Sequence, residues 1–302
     1  MAAAVVTGSA GFLGRLLVEA LAERGPVVAV DRLPQPPHPG VTALQADLLD
    51  RDPRVRAALA AAPVVHHLAG CPDVRDPRPD ADRHRLRDNV LATRAVLADI
   101  APDAALVVAS SSSVYGGSRD GRPCAEIDPL RPRGGYARSK VAVEQLCAAR
   151  ARVAVVRPFT VAGEGQRPGM ALARWIAAAR EGRPLRIFGS PLRTRDLTDV
   201  RHAVRVLVEL GELTAAGVEV GTVNLGTGTA VRLGDVVMAI GRVLGTRVRT
   251  LVEPAADVEV AHTLADPTRL RELLGWVPCT DVDGLVARQA AWSGTGIAVP
   301  AG

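Results

Sequence analysis

A tyrosine and a lysine four residues apart are the most chemically informative pair in this sequence. Lys140 is the only lysine among 37 lysine and arginine residues, and Tyr136 is one of 2 tyrosines. A phenol titrates at about pH 10, so a tyrosine that removes a hydroxyl proton at neutral pH needs its phenolate stabilised. Residues i and i+4 share a helix face, and an ammonium there would lower the pKa of the phenol. The spacing predicts a proton-transfer pair, with an incidental packing contact as the alternative.

Three glycines near the N-terminus, Gly8, Gly11 and Gly14, follow an apolar run and open a helical pattern. Glycines there allow a tight turn and close approach to a pyrophosphate, while the helix N-terminus supplies free N–H groups. Asp31 ends the next apolar run, where a carboxylate accepts hydrogen bonds from a ribose and repels a 2′-phosphate. The pattern predicts NAD as the cofactor, and Arg32 keeps NADP open as the alternative. An ordinary strand-to-helix turn is the alternative for the glycines.

The framework that must hold these residues is also visible in the sequence. Short, continuously apolar runs alternate with segments whose apolar residues recur at helical spacing. Such a pattern predicts a parallel sheet covered by helices on both faces, the doubly wound α/β fold, with its ligand site beyond the C-terminal strand ends. The runs cover residues 3–6, 27–31, 64–68, 106–110, 153–157 and 222–225. After about residue 158 the pattern loosens into loops and helical stretches, which predicts a second, smaller domain.

Composition excludes several classes of function. The chain has 302 residues, 48% of them apolar, and a net charge of +5. No apolar run approaches the roughly 20 residues that span a bilayer, and the N-terminus lacks a basic signal region, so we expect a cytoplasmic protein with no membrane partner. The arginines are spread along the chain without aromatic clusters, which argues against nucleic acid. The cysteines show neither disulfide nor metal-ligand spacing, so no metal is expected, and we interpret them as buried thiols: Cys71, Cys124, Cys147 and Cys279.

A series of short motifs follows one another along nearly the whole chain. They are TGSAGFLG at 7–14, DL at 47–48, HLAG at 67–70, NV at 89–90, SSSVYG at 111–116, YARSK at 136–140, RPFTVAGEGQRPGM at 157–170, TRDLTDV at 194–200, NLGTG at 224–228 and LLGWVP at 273–278. In this order they resemble the extended short-chain dehydrogenase/reductase family, specifically its nucleotide-sugar epimerases and dehydratases. The resemblance implies a Rossmann fold that binds NAD, formed by residues 1–157 and about 193–228. Residues from about 158 to 192 and 229 to 302 would form a smaller C-terminal domain that binds the nucleotide sugar.

The resemblance also implies roles for individual residues. Ser111 would hold the reacting hydroxyl, Tyr136 would take its proton, and Lys140 would bind the nicotinamide ribose as a compact three-donor cation. The implied NAD-binding residues are Gly8, Gly11, Phe12, Leu13, Gly14, Asp31, Arg32, Asp47, Leu48, Leu68, Ala69, Gly70, Asn89, Ser110, Tyr136, Lys140 and Pro158. The implied substrate-binding residues are Arg75, Ser111, Ser112, Ser113, Tyr136, Thr160, Arg167 and Arg195. For Ser110 a plain polar loop residue is the alternative, and for each arginine a solvated surface charge.

Residues 112 and 113 distinguish reactions within this family. The related 4,6-dehydratases carry an Asp-Glu pair there and the uronate decarboxylases a glutamate, whereas this chain has Ser112 and Ser113. The resemblance is therefore to the 4-epimerases of UDP-glucuronate and UDP-hexoses, which form a transient 4-keto sugar and bind a C6 carboxylate with hydroxyls and an arginine. Net oxidation, reduction or 5,6-elimination of a modified sugar remains the enzymatic alternative, and a non-catalytic NAD-binding regulator the other. Relatives commonly form homodimers through a helix pair that includes the helix of the YxxxK motif, with packing of that helix's apolar outer face within the monomer as the alternative.

One departure from the family pattern concerns charge. Glu164 stands where relatives carry a proline, which adds a negative charge near the expected anionic substrate.

Overall fold

A computed structural model describes residues 3–72, 74 and 78–294 of the chain. The strands among these residues are β1 (Ala4–Thr7), β2 (Val27–Asp31), β3 (Val41–Gln45), β4 (Val64–His67), β5 (Ala105–Ala109), β6 (Val153–Pro158), β7 (Thr160–Ala162), β8 (Leu185–Phe188), β9 (Thr194–Asp199), β10 (Gly221–Leu225), β11 (Ala230–Arg232) and β12 (Thr250–Glu253). The helices are α1 (Phe12–Ala22), α2 (Pro53–Ala61), α3 (Ala81–Arg85), α4 (Ala92–Asp99), α5 (Gly134–Cys147), α6 (Ala171–Arg180), α7 (Val200–Ala215), α8 (Leu233–Leu244), α9 (Thr268–Leu274) and α10 (Val282–Gly294).

A seven-stranded parallel sheet forms the centre of the molecule, in the order β10-β6-β5-β4-β1-β2-β3. Its central strands are valine-rich because helices cover both faces. Val5 and Val6, neighbours on β1, point to opposite faces and are both fully buried. From β1 the strand order runs outward to β2 and β3 on one side and to β4, β5, β6 and β10 on the other, so the order changes direction between β1 and β4. This arrangement is that of a doubly wound fold, and the predicted fold class is confirmed.

Strand β3 is the element of this sheet that the sequence did not predict. It pairs with β2 at the sheet edge from Val41 to Gln45, and its residues are exposed or only half-buried. An edge strand is covered incompletely, so it needs no continuous apolar run and gives a weak sequence signal. The other six strands lie within one residue of their predicted limits at every end.

The second half of the chain packs around its own apolar cluster. Strands β7, β9 and β11 form one small sheet, and β8 and β12 form another. Helices α6, α8 and α10 pack together against them, with Ile176, Leu185, Ile240 and Leu285 fully buried. None of the described helices has the length and apolar character required to cross a bilayer.

Helices α3 and α4 are joined without a break by a π-helical segment, Leu86–Leu91. A π-bulge inserts an extra residue into the turn and changes the direction in which the side chains point, and such bulges often occur at functional sites. Here the segment contains Asn89, which is 1% exposed and faces the helix α5 that carries Tyr136.

Candidate active site

The start of helix α5 fixes Tyr136 against the preceding helix. Gly134 has a positive φ of 78°, a conformation that favours glycine. At Gly135 an added Cβ would overlap the carboxylate of Asp82 and press against Arg85, both on α3. The two glycines therefore let α5 begin close to α3, which leaves Tyr136 only 8% exposed and Lys140 6% exposed.

Burial dominates the acid–base state of Tyr136. It raises the pKa of the phenol, while a hydrogen bond with Ser111 and the charge of Arg167 act in the opposite direction. The thiol of Cys71 also raises the pKa of Tyr136. Burial therefore outweighs the groups that lower the pKa of this phenol.

Lys140 instead anchors the helix to the sheet. Its Nζ donates a hydrogen bond to the carbonyl oxygen of Ala109 at 2.8 Å, at the end of β5. The same nitrogen lies 5.9 Å from the centre of the Tyr136 ring. Burial lowers the pKa of Lys140 to about 8, an effect that the nearby Cys71 and Glu144 partly oppose. An ammonium carries three donors, so Nζ keeps donors for a ligand beyond its Ala109 bond.

The serine run follows β5 directly. Ser111 caps a short 3₁₀ turn, Ser112–Tyr115, by accepting a hydrogen bond from the backbone N–H of Ser113 at 3.1 Å. The hydroxyl of Ser113 is buried and has no hydrogen-bond partner among the described atoms. Because native proteins rarely leave buried polar atoms unsatisfied, this hydroxyl is a group that a bound ligand would complete.

Asn89 joins the loop after β4 to helix α5. Its side-chain oxygen accepts the backbone N–H of Cys71 at 2.7 Å, and its nitrogen donates to Ser139 Oγ at 2.8 Å. Cys71 is 8% exposed and influences the pKa values of both Tyr136 and Lys140. The prediction of buried thiols is confirmed for Cys71, Cys124 and Cys147 but is wrong for Cys279, which is exposed. Directly after HLAG, Cys71 lies beside the predicted proton-transfer pair.

The glycine turn after β1 has the features of a pyrophosphate site. Gly8 has a φ of 73°, and an added Cβ would lie 2.5 Å from the backbone nitrogen of Ala69. Helix α1 follows the N-cap residue Gly11, which provides no side-chain cap, and the helix has no acidic residue in its first turn. Its first N–H groups are therefore directed outward beside the buried hydroxyl of Ser9, which has no partner among the described atoms. Unpaired donors and a helix N-terminus fit a dinucleotide diphosphate.

The side chains of Asp31 and Arg32, the two residues expected beside an adenosine ribose, are held in different ways. The Asp31 carboxylate accepts the backbone N–H groups of Ala10 at 3.0 Å and Leu33 at 2.9 Å, which fixes it beside the glycine turn. The guanidinium of Arg32 turns away and pairs with Asp88. Asp47 caps the 3₁₀ turn at Leu48–Asp50 through the backbone N–H of Leu49.

The remaining predicted cofactor residues lie at the same edge of the sheet, beyond the C-terminal ends of its strands. Ser110 is a partial exception, because its hydroxyl donates to Glu144 and so has a role within the protein. The backbone N–H of Leu68 donates to Thr7 at 3.0 Å, which ties the HLAG segment to the end of β1. The residues concerned are Phe12 and Leu13 at the start of α1, Leu68, Ala69 and Gly70 after β4, Ser110 after β5 and Pro158 at the end of β6.

The predicted substrate residues beyond the serine run come from two places. Thr160 begins β7, and the guanidinium of Arg167, in the loop before α6, is near enough to shift the pKa of Tyr136. Arg195 lies on β9 and donates to the carbonyl oxygens of Thr194 and Ala261 at 2.8 and 3.2 Å. Arg75 lies outside the described residues.

Glu164 adds no free negative charge to the site. Its carboxylate pairs with Arg201 and, at 3.4 Å, with Arg288. Although burial alone would raise it, hydrogen bonds from the backbone and Arg201 hold the pKa of Glu164 below its usual range. The departure from the family pattern is compensated by arginines within the chain.

A buried ion pair beneath the site has no counterpart in the sequence analysis. Glu144 accepts two hydrogen bonds from Arg157, at 2.9 and 2.7 Å, and one from Ser110. Arg157 also donates to the hydroxyl of Tyr115 at 2.8 Å, and that hydroxyl donates to Asn224 at 2.7 Å. The pair ties α5 to the ends of β5 and β6. Glu144 lies one turn after Lys140 on the same helix face, a spacing that could have indicated its place.

The fold and the site together define a class of protein. The doubly wound sheet carries a glycine turn after β1 and an acidic residue at the end of β2, as dinucleotide-binding enzymes do. The Ser-Tyr-Lys group beside the strand ends is typical of the short-chain dehydrogenase/reductase type. Residues 4–226 match the sequence profile of the NAD dependent epimerase/dehydratase family, and the chain belongs to that family. NAD is the cofactor of this family, in agreement with the sequence prediction.

Individual relatives make the resemblance more specific. A probable UDP-glucuronate 4-epimerase of Rhizobium meliloti (strain 1021) is 30% identical over 95% of this chain and 96% of the relative. MoeE5, solved in complex with UDP-glucuronic acid and NAD, is 36% identical with a TM-score of 0.87, covering 98% of this chain and 100% of that chain. TunA, an NAD dependent NDP-hexosamine 5,6-dehydratase, is 27% identical with a TM-score of 0.85, covering 98% of both chains.

Proposed function

We propose that this chain is an NAD-dependent UDP-sugar 4-epimerase that acts on UDP-glucuronate or a UDP-hexose through a transient 4-keto sugar. The observation that carries the proposal is the surroundings of Tyr136. The phenol of Tyr136 is buried, forms a hydrogen bond with Ser111 and has its pKa lowered by the charge of Arg167. The two residues after Ser111 are Ser112 and Ser113, which carry hydroxyl groups. Elimination of water in related enzymes uses carboxylic acids at those two positions. Proton and hydride transfer at one carbinol carbon is the reaction that these groups support.

The residues divide the chemistry of one reversible oxidation between them. Tyr136, as the phenolate, takes the proton of the sugar's C4 hydroxyl, and Ser111 holds the oxygen from which that proton leaves. NAD, held at the glycine turn and by Lys140, would supply the acceptor for the hydride from C4 and its donor to the opposite face of the keto sugar. Lys140 provides the nearest fixed positive charge on α5 and binds the cofactor's ribose through donors not used by Ala109. Tyr136 then returns the proton, so the sum of the two half-reactions is inversion at C4.

The sugar and the diphosphate would be held by separate cations. Arg167, with Thr160 and the hydroxyls of Ser112 and Ser113, suits a C6 carboxylate because several neutral donors and one guanidinium add no repelling charge. Arg195 suits the diphosphate, whose geometry matches a planar guanidinium. Both assignments follow the predicted roles.

The deciding experiment incubates the purified protein with UDP-glucuronate and UDP-glucose separately, and reads the C4 configuration by proton NMR. We expect the galacto epimer in at least one mixture, no net NADH, and no product from Tyr136→Phe. A folded, NAD-loaded wild type that leaves both sugars unchanged would contradict the substrate assignment. Matched wild-type turnover in Tyr136→Phe would contradict the mechanism.

The similarity to TunA makes 5,6-elimination the second candidate. Both reactions begin with a 4-keto sugar, and elimination additionally requires removal of the C5 proton and loss of the C6 hydroxyl. Cys71 is buried and close enough to Tyr136 to affect the pKa of its phenol, which makes its thiol our candidate for removing the C5 proton. Mass spectrometry of the same mixtures distinguishes the two, because a product lighter by one water indicates elimination and an unchanged mass indicates epimerisation.

The domain division and the assembly belong to the same proposal. We assign residues 1–157 and about 193–228 to the NAD domain and the rest to a nucleotide-sugar domain, in a cytoplasmic homodimer. Exposed Leu86 and Leu91, at 52% and 38%, lie on the helix next to α5 and suit a helix-pair interface. Light scattering should give the mass of a dimer, and Leu86→Glu that of a monomer.

A further inference from the structure

Four charged side chains form a ring beside the predicted adenosine site. Arg32 contacts Asp88 with both outer nitrogens, each at 3.3 Å. Arg87 contacts Asp88 and Asp47, each at 2.6 Å, and Arg32 lies 3.9 Å from Asp47. Positive and negative groups alternate around the ring, so its formal charge is zero.

The ring draws on three separate parts of the fold. Arg32 follows β2, Asp47 follows β3, and Arg87 and Asp88 lie in the π-helical segment before α4. The two acids are largely buried, with side chains 12% and 16% exposed, whereas Arg32 is 55% exposed. The two buried carboxylates are therefore held in place by the surrounding protein, and they determine where the guanidinium of the exposed Arg32 lies.

Both the type and the position of Arg32 are those of a residue that would favour NADP. An arginine next to the carboxylate at the end of β2 accommodates the 2′-phosphate in NADP-dependent Rossmann proteins. Here both outer nitrogens of that arginine donate to Asp88, so a 2′-phosphate would compete with this carboxylate for the guanidinium. The Asp31 carboxylate, fixed by Ala10 and Leu33, adds direct repulsion.

We propose that Asp88 is a specificity-determining residue for the cofactor: it holds Arg32 away from the 2′-phosphate and so reinforces the selection of NAD by Asp31. The inference rests on the dinucleotide site of the proposed function. Asp88 acts through Arg32 rather than on the cofactor itself. The selection against NADP then has two parts, repulsion by Asp31 and withdrawal of a neighbouring cation that could compensate for it.

The test measures which nucleotide the protein retains. Wild type, Asp88→Asn, Arg32→Ala and the double variant are equilibrated with equal NAD+ and NADP+, freed of unbound nucleotide, and extracted for chromatography. Release of Arg32 should raise the bound NADP-to-NAD ratio of Asp88→Asn about tenfold, the size of one charge-assisted hydrogen bond in a half-exposed site. In the Arg32→Ala background the Asp88 substitution should leave the ratio unchanged.

A matched control is available on the same helix. Asp99 ends α4 and accepts Arg51 at 2.7 Å and Arg56 at 3.3 Å, with its side chain 8% exposed. Asp99→Asn breaks a comparable acid–arginine cluster away from Asp31 and should keep the wild-type ratio. An unchanged ratio in a folded Asp88→Asn, or an equal rise in the Arg32→Ala background, would overturn the proposal. Wild type that retains neither nucleotide would instead contradict the proposed function.

Discussion

The buried pair of Glu144 and Arg157 predicts a large loss of stability when one of its two charges is removed. The two side chains are 11% and 6% exposed and share two hydrogen bonds. Glu144→Gln keeps the shape of the side chain but leaves the guanidinium buried without a counter-charge. Breaking such a pair from one side costs about 3–5 kcal/mol, and we expect the lower end because the amide oxygen still accepts one bond.

The expected shift in melting temperature follows from chain length. An unfolding entropy of roughly 2 cal/mol/K per residue gives about 0.6 kcal/mol/K for 302 residues. A loss of about 3 kcal/mol then lowers Tm by about 5 °C. Calorimetry of the nucleotide-loaded protein is the measurement. Asp283→Asn is the control, because Asp283 forms a similar two-bond pair with Arg242 in which the side chains are 50% and 58% exposed. It should lose less than about 1 kcal/mol.

A double variant separates lost charge from lost packing. In Glu144→Leu combined with Arg157→Met, no charge remains buried, so the double variant should melt above Glu144→Gln despite its two substitutions. Equal Tm losses in Glu144→Gln and Asp283→Asn would refute the reasoning, since burial would then make no difference. A double variant less stable than the single one would show that the pair acts through the hydrogen bonds to Ser110 and Tyr115.

Two further predictions concern Lys140 and the buried His66. Lys140→Arg keeps the charge but not the compact ammonium, so kcat should fall about 100-fold and the NAD content of the purified protein should drop; wild-type values for both would show that any cation suffices. Burial lowers the pKa of His66 to about 4, so the folded state resists protonation and stability is lost as pH falls from about 6.5 towards 4. In urea titrations, His66→Gln should lose about 2 kcal/mol less than wild type between pH 7.5 and 5, and equal losses would contradict this.

The sequence predicted the parts of the structure that depend on local pattern. The apolar runs gave the central strands, and the spacing of Tyr136 and Lys140 gave their shared helix face. The edge strand β3 was missed because incomplete burial leaves no apolar run. In a parallel sheet the C-terminal ends of all strands lie at the same edge. Motifs more than 100 residues apart could therefore be placed together because each one follows a predicted strand.

What the sequence could not predict are pairings chosen by side-chain burial and distance. Thirty-six arginines offer many partners, and nothing local indicates that Arg157 pairs with Glu144 beneath the site while Arg32 pairs with Asp88 beside it. The pKa of Tyr136 shows the same limit. Spacing placed a cation beside the phenol, but the balance between burial, which raises the pKa, and charge, which lowers it, depends on depth.

The position of Lys140 explains why arginine does not replace it. Its Nζ is held by the Ala109 carbonyl in a space that is closed on the other side by Gly70, where an added Cβ would lie 3.7 Å from that nitrogen. A guanidinium is wider and planar, and its donors form a fixed fork that cannot reach both Ala109 and a ligand from this depth. Burial lowers the pKa of Lys140 to about 8, whereas an arginine would stay charged throughout. The shape of the space around Nζ, rather than the need for positive charge alone, therefore favours lysine at this position.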